Sequence, residues 1–295
     1  MSQEMWTAPV QQPPRRGRAW LRVLLIGLGL FVATTIVMFL SGNLNLYPTV
    51  ILIGNFLVPI VFVAFLYDHQ DFSALSLDTV ATSFCVGGIL GVLGASILES
   101  LLLPTPSNPT QGLSLQGAMA VGLIEEGCKI AVVAFLARRM THTSQMDGLL
   151  LGGAVGMGFA ALESTGYAFT ALVLSHGVIA ASLVETVIRG LLSPFGHGAW
   201  TGILGAVLFR QSGPEHFRIN GPVILTYLFV SLLHGLWDGL PNTFYIIIPP
   251  GFPFSVTWLI VAVVGIVTLS VLYRQAMVQH MQQLQSTLPP SRIPM

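Results

Sequence analysis

The stretch PTVILIGNFLVPIVFVAFLY at residues 48–67 decides the structural class of this protein. It contains no charged side chain, and as an α-helix it would extend about 30 Å, the thickness of the hydrocarbon core of a bilayer. It is too long and too evenly apolar for a barrel strand, whose side chains alternate in polarity. The stretch is therefore predicted to be a helix that crosses a membrane.

Similar apolar runs fill most of the chain. Charged residues make up only 8% of the sequence, against roughly 25% in an ordinary soluble protein, and the mean hydropathy is +0.78. A soluble fold of this length would need more charge to cover its surface, so lipid must cover it instead. The sequence predicts an all-α, polytopic transmembrane bundle of about eight spans, with polar active-site residues inside. The candidate spans are 20–40, 48–67, 80–103, 113–137, 147–173, 196–210, 221–240 and 254–273.

The ends of the chain differ from this bundle, which is predicted to occupy residues 20–273. Residues 1–19 are rich in Pro, Gln and Arg and are expected to be a disordered cytoplasmic tail, and residues 274–295 a polar, disordered C-terminal tail. Cys85 and Cys128 lie in apolar runs and do not suggest a disulfide framework. A net charge of zero argues against a nucleic-acid partner, because such a partner needs a basic surface.

The segment 177–192 decides how often the chain crosses the bilayer. If it spans, there are nine helices and several arginines fall on the outer side. If it lies at the interface or caps the bundle, eight spans remain and every arginine except Arg189 is cytoplasmic. Because cytoplasmic loops are enriched in Arg and Lys, the sequence favours eight spans in the cell membrane with both termini inside. Glu99, Glu185 and Arg189 are then assigned to span ends or to this segment.

Several ionisable side chains nevertheless lie within the predicted spans. Each costs at least about 2.5–3.5 kcal/mol near the bilayer centre, so each is a candidate functional residue. They are Glu125, Glu126, Lys129, Glu163, His197, His234 and Asp238.

The spacing of these residues suggests a common site. Glu125 and Lys129 are four residues apart, so they share one helical face, and the same spacing joins His234 to Asp238. Counting along the spans places Glu125 near mid-membrane, with Glu163 and His234 at or just beyond the midplane on the outer side. His197 is expected at the outer end of its span. These groups are therefore predicted to converge in one cavity in the outer half of the bilayer.

Histidines with carboxylates suit a divalent metal such as zinc, and a nearby glutamate would take a proton from the attacking water. Simpler interpretations stay open for each part. Glu125 with Lys129 is also explained by a structural ion pair, and His234 with Asp238 by a packing pair. Glu163 would also serve as a proton-relay carboxylate, and His197 as an interfacial residue. The whole set is harder to explain in this way, because every costly group needs a partner.

The same strings resemble the PrsW family of intramembrane metalloproteases, whose wider clan includes the CAAX prenyl endopeptidases and the Abi proteins. The resemblance covers about residues 113–240. It rests on E-E-x-x-K at Glu125, Glu126 and Lys129, on F-x-x-x-E at Phe159 and Glu163, on the histidine of HGAW at His197, and on H-x-x-x-D at His234 and Asp238.

This resemblance implies an endopeptidase that cleaves membrane-anchored proteins, such as anti-sigma factors, near their extracytoplasmic side. It implies catalytic roles for Glu125, Glu126 and Lys129, with Glu125 as the base that activates water. The implied zinc ligands are Glu163, His197 and His234, with Asp238 orienting a ligand or completing the shell. Two other functions stay open, a proton- or ion-coupled transporter and a non-catalytic sensor or immunity protein of the same fold. Neither repeated halves nor matching broken helices, which are typical of transporters, are visible in the sequence.

Overall fold

The structure is a computed structural model. It describes residues 17–69, 73, 75–104, 112–141, 144–240, 244–248 and 252–287. Most of the predicted N-terminal tail, residues 1–16, lies outside the described part of the chain.

Nearly all of the described chain is helical. The helices are α1 Ala19–Ser41, α2 Tyr47–Asp68, α3 Leu77–Leu102, α4 Leu115–Ala137, α5 Gln145–Leu174, α6 Ile179–Leu192, α7 His197–Gln211, α8 Gly221–Gly239 and α9 Val256–Thr287. Short 3₁₀ turns at Leu44–Leu46 and Ser193–Phe195 precede α2 and α7, and a β-hairpin of β1 Tyr245–Ile248 and β2 Phe252–Ser255 joins α8 to α9.

Within these residues, seven passages are long and apolar enough to cross a membrane, and α6 with α7 counts as one of them. Helix α4 has 23 residues, so it is also long enough to cross, but its three charged side chains set it apart in composition. It packs inside the bundle against α3, α5, α7 and α8, where protein rather than lipid surrounds the charges. The prediction of an all-α bundle of about eight spans is therefore confirmed, and the protein is a multi-pass membrane protein.

Helix α5 forms the centre of the bundle and packs most closely on α7. Glycines on one face of α5 allow this approach, as small residues do at helix contacts in membranes. A β-carbon on Gly152 would overlap the carbonyl oxygen of Thr201, and one on Gly156 would overlap that of His197. On another face, a β-carbon on Gly158 would overlap the carbonyl oxygen of Phe84 in α3. The backbone of α5 thus fixes the position of the first residue of α7.

The segment 177–192 takes an arrangement that was not foreseen. Helix α6 packs along the second half of α5, where the Ser182 hydroxyl donates to the Ala168 carbonyl oxygen at 2.7 Å. After the turn at Ser193–Phe195, α7 continues antiparallel to the first half of α5. The two short helices therefore form one interrupted passage, Ile179–Gln211. The expectation that His197 lies at the outer end of its span is wrong, because α6 supplies the other half of that passage.

Helix α9 extends beyond the predicted end of the bundle at residue 273. It continues to Thr287, so residues 275–287 are helical and not the disordered tail that was expected. The stretch between residue 274 and Thr287 contains no Pro or Gly that would end a helix. Gln275 also accepts a hydrogen bond from Arg210 of α7 at 2.9 Å. Residues 288–295 lie outside the described residues.

Candidate active site

The ionisable side chains predicted from the sequence meet in one group, which we call the polar cluster. It joins five helices, α4 to α8, and one further arginine belongs to it. Its members are Glu125, Glu126, Lys129, Glu163, Arg189, His197, His234 and Asp238.

Lys129 lies at the centre of the polar cluster and is fully buried. Its ammonium donates to Glu125 Oε2 at 3.0 Å and to Glu126 Oε1 at 2.8 Å. It also lies 2.7 Å from His197 Nδ1 and 3.9 Å from the centre of the Phe159 ring. The ion pair between Glu125 and Lys129 is thus present, but it is one part of a larger network and not an isolated structural pair.

His234 has one ring nitrogen bound and the other turned toward the interior of the cluster. Its Nδ1 lies 3.1 Å from Glu126 Oε1, and because an ionised carboxylate only accepts, Nδ1 carries the proton. Nε2 then faces Glu125 Oε2 at 3.6 Å and Asp238 Oδ2 at 3.2 Å, and it would offer its lone pair to a metal ion bound between them. The Trp200 ring packs on the imidazole with centroids 4.8 Å apart and limits its rotation.

His197 is arranged in the same way with its nitrogens exchanged. Its Nε2 lies 3.1 Å from Glu163 Oε2, so that this carboxylate faces the ring nitrogen. Its Nδ1 faces the Lys129 ammonium, which is a donor only, so Nδ1 presents a lone pair. The close contact of its carbonyl oxygen with Gly156 fixes the backbone. Each histidine therefore directs one nitrogen toward Glu125 and the interior of the cluster, while a carboxylate lies 3.1 Å from its other nitrogen.

Glu125, His197 and His234 can together hold a metal ion. One ligand atom from each lies within 4.8 Å of the other two. Ligands about 2.1 Å from a tetrahedral zinc ion would be about 3.3–3.5 Å apart, close to the 3.6 Å and 3.9 Å between Glu125 Oε2 and the two histidine nitrogens. Histidines that ligate metals commonly donate their second N–H to a carboxylate, and here the second nitrogen of each histidine lies 3.1 Å from one. The donor set therefore fits a divalent metal.

Arg189 is a member of the polar cluster that sequence reasoning missed. Its guanidinium lies 2.7 Å from Glu163 Oε2, donates to the Ser164 hydroxyl at 3.3 Å and stacks 3.9 Å from the centre of the Tyr167 ring. A signal was available, because Arg189 was the single arginine left on the outer side by the topology. The cost of burying a charge, applied to Arg189, would have predicted an acidic partner inside the bundle.

Two cavities reach the polar cluster from different sides. The larger, about 590 Å³, lies between α3, α4 and α5, and Glu99, Glu125 and Glu163 line it together with serines and apolar residues. The smaller, about 150 Å³, lies beside α6, α7 and α8, and His197 and Asp238 line it. We call these the acidic cavity and the histidine cavity. Water therefore has room to approach the cluster from either side.

Comparison with known proteins supports the same interpretation. The sequence model of the PrsW family intramembrane metalloproteases matches residues 76–269, a longer stretch than the motifs alone cover. It takes in α3 to α8 and part of α9, and so includes every member of the polar cluster. Neither a curated protein nor a solved structure matches the chain. Because the family match spans most of the chain and the whole candidate site, the protein belongs to the PrsW family of intramembrane metalloproteases.

Proposed function

We propose that this protein is a metal-dependent endopeptidase that cleaves membrane-anchored proteins, such as anti-sigma factors, near their extracytoplasmic side. Family membership supports the general activity. The observation that carries the proposal is the convergence of one nitrogen from each histidine on a single carboxylate oxygen of Glu125 within the polar cluster. A transporter or sensor would not require two histidines and a carboxylate to converge on one point.

The proposed ligands are Glu125, His197 and His234, with zinc as the metal, because zinc prefers imidazole and carboxylate donors. The charges of the polar cluster support a divalent ion. Four carboxylates face two permanent cations, Lys129 and Arg189, so two negative charges are left over when both histidines are neutral. Uncompensated charge is costly inside a bundle, and a divalent ion would balance it. When bound, the ion would polarise the scissile carbonyl and make the attacking water more acidic.

The remaining carboxylates orient these ligands. Glu126 holds His234 through Nδ1 and also accepts from the Thr201 hydroxyl at 3.1 Å. Glu163 holds His197 through Nε2, and Arg189 in turn fixes Glu163. Such second partners commonly contribute about 10–100-fold in metal affinity or activity.

Asp238 is proposed to carry the proton. Within the described residues no Lys or Arg pairs with it, and its side chain is 29% exposed toward the histidine cavity. It would accept a proton from water as the water oxygen adds to the carbonyl carbon. It would then pass that proton to the amide nitrogen as the C–N bond breaks, so the overall reaction adds one water. Lys129 would lie close enough to stabilise the developing negative charge on the carbonyl oxygen.

The sequence comparison suggested a different division, with Glu125 as base and with Glu163 and Asp238 among the ligands. The geometry favours Glu125 as ligand, because its Oε2 faces the inward nitrogens of both histidines, whereas Glu163 lies beside the other nitrogen of His197. The metal content of a Glu125 variant distinguishes the two divisions.

Both termini are proposed to be cytoplasmic, with the bundle beginning at residue 20 and α9 continuing past residue 273 to Thr287. The burial of Arg189 supports this orientation, because the one arginine that the topology placed outside is paired with Glu163 within the bundle. The arginines that follow α4 and α7, together with those at the start of α1 and late in α9, are then on one side of the membrane, as the positive-inside rule requires.

The decisive experiment combines metal analysis with a cleavage assay on protein purified in detergent. We expect about one divalent ion per chain and chelator-sensitive cleavage of a tagged single-span substrate. His234→Ala should lose both metal and cleavage because a ligand is gone. His216→Ala, an exposed histidine in the α7–α8 connection, is the matched control and should keep both. Wild-type protein that holds no metal and cleaves in the presence of chelator would refute the proposal.

A further inference from the structure

The interruption between α6 and α7 places irregular backbone inside the bundle. Nonhelical backbone at membrane depth is tolerated where it is buried in protein or lines a water-filled cavity. Here Ser193 and Gly196 line the histidine cavity, Phe195 faces the opposite way, and Leu192 borders both sides. The break therefore forms part of a wall between a polar space and the outside of the bundle.

On the other side of this wall lies an apolar groove of about 410 Å³, lined on its far side by α9. Every residue that lines it is apolar or aromatic. Along α9 it extends from Trp258 to Val267, which is about 14 Å of helix. The groove is thus long enough to hold about half of a helix that crosses the bilayer.

The apolar groove and the histidine cavity are neighbours that share Leu192, Trp237 and Trp258 in their walls. The indole rings of Trp237 and Trp258 stack with centroids 5.5 Å apart and an angle of 27°. Trp258 Nε1 also donates to the Trp237 carbonyl oxygen at 3.0 Å. Asp238, the proposed proton carrier, directly follows Trp237 on α8. The stacked tryptophans therefore separate the membrane side of the protein from the proposed site of cleavage.

We infer that the apolar groove docks the membrane-spanning helix of the substrate, and that the cleavable segment reaches the histidine cavity past the Trp237–Trp258 pair. This inference rests on the proposed function. A substrate helix brings apolar side chains, which gain free energy when they pack against an apolar wall in place of a carboxylate-lined one. The acidic cavity is the less suitable entrance, because Glu99 and Glu163 would face the apolar helix. A surface that only contacts lipid would not need to adjoin the proposed site of cleavage, whereas this groove shares wall residues with the histidine cavity.

Filling the groove should weaken binding of spanning substrates without harming catalysis. Val263 lines the groove and is 52% exposed, so Val263→Trp has room to fold. Val271 lies two turns further along α9, is 47% exposed and does not line the groove, which makes Val271→Trp the matched control. We expect Val263→Trp to raise KM for a single-span substrate about tenfold, with little change in kcat, because the indole would exclude part of the substrate helix from van der Waals contact with the groove. A short soluble peptide carrying the cleavage sequence should be cut at the wild-type rate.

Photocrosslinking identifies the occupant of the groove directly. Benzoylphenylalanine placed at Val263 should crosslink the substrate helix, whereas the same probe at Val271, or at Thr170 on the acidic cavity, should not. Crosslinking from Thr170 alone, or crosslinking from Val263 to lipid alone, would overturn the inference. Cleavage of the substrate by the wild-type protein is measured separately. If the wild-type protein cleaves but the probe at Val263 captures no substrate, the groove is excluded as the docking site and the protease activity stands. If the wild-type protein does not cleave, the protease activity and the docking site are both refuted.

Discussion

Replacing Glu125 by Gln separates the two possible divisions of labour. Glu125 Oε2 lies 3.0 Å from Lys129 Nζ and 3.6 Å and 3.9 Å from nitrogens of His234 and His197. The amide keeps the size of the carboxyl group and can still accept from Lys129, but it removes the negative charge. If Glu125 is a ligand, the loss resembles breaking a buried ion pair, which costs about 3–5 kcal/mol. That corresponds to about 10²–10³-fold or more in the dissociation constant of the metal.

The assay is a competition titration of purified protein against a chelator of known zinc affinity, with metal content and substrate cleavage measured on the same samples. Glu163→Gln is the internal comparison, because it removes a charge that only orients His197 and should weaken binding about 10–100-fold. Glu99→Gln, in the acidic cavity but outside the polar cluster, should leave metal affinity unchanged. If Glu125→Gln binds metal as tightly as the wild type and fails only in cleavage, Glu125 is the base and the ligand assignment is refuted.

Three further predictions concern the cations of the polar cluster and the topology. Arg189→Gln leaves Glu163 short of a partner and should lower the free energy of unfolding by about 1–3 kcal/mol, as measured from a denaturation curve. The double variant with Glu163→Gln should recover part of this loss, and no recovery would contradict the pairing. Lys129→Met should retain metal, because the metal ion and the ammonium neutralise the same glutamates. Differential scanning fluorimetry should show that zinc raises the melting temperature of this variant more than that of the wild type. Equal zinc responses would argue against a site shared by the metal ion and the ammonium. With both native cysteines replaced, a cysteine at Asn43 should react with an impermeant maleimide added outside cells, whereas one at Ser212 should not. Labelling of Ser212 from outside would reverse the proposed orientation.

The membrane passages could be predicted from the sequence because their signal is local. A run of apolar residues long enough to cross a bilayer has few other uses, and eight such runs were found. The polar cluster was also predictable, since every buried charge needs compensation and few candidates were available. Both arguments depend on the cost of placing a residue in lipid, which is a property of the residue alone.

The remaining features depend on pairs of residues that are distant in sequence. The division of 179–211 into two short helices follows from packing against α5. The composition of the segment does not indicate which helix it packs against. The partner of Arg189 lies 26 residues away on another helix. Glu125, and not Glu163, faces the inward nitrogens of both histidines. The spacing of residues on separate helices does not define such side-chain directions.

The glycine positions of α5 are restricted by the space available beside α7 and not by a need for a functional group. Gly148, Gly152 and Gly156 carry no functional group, yet each meets a backbone atom of α7 where a methyl group would not fit. In a saturation mutagenesis experiment these positions would be as intolerant as the polar cluster itself, and they would be mistaken for active-site residues. Their response to side-chain size distinguishes them, because alanine should already be harmful there and larger side chains progressively worse. Gly156→Ala would then offer an inactive variant in which His197 is displaced although no ionisable residue has been replaced.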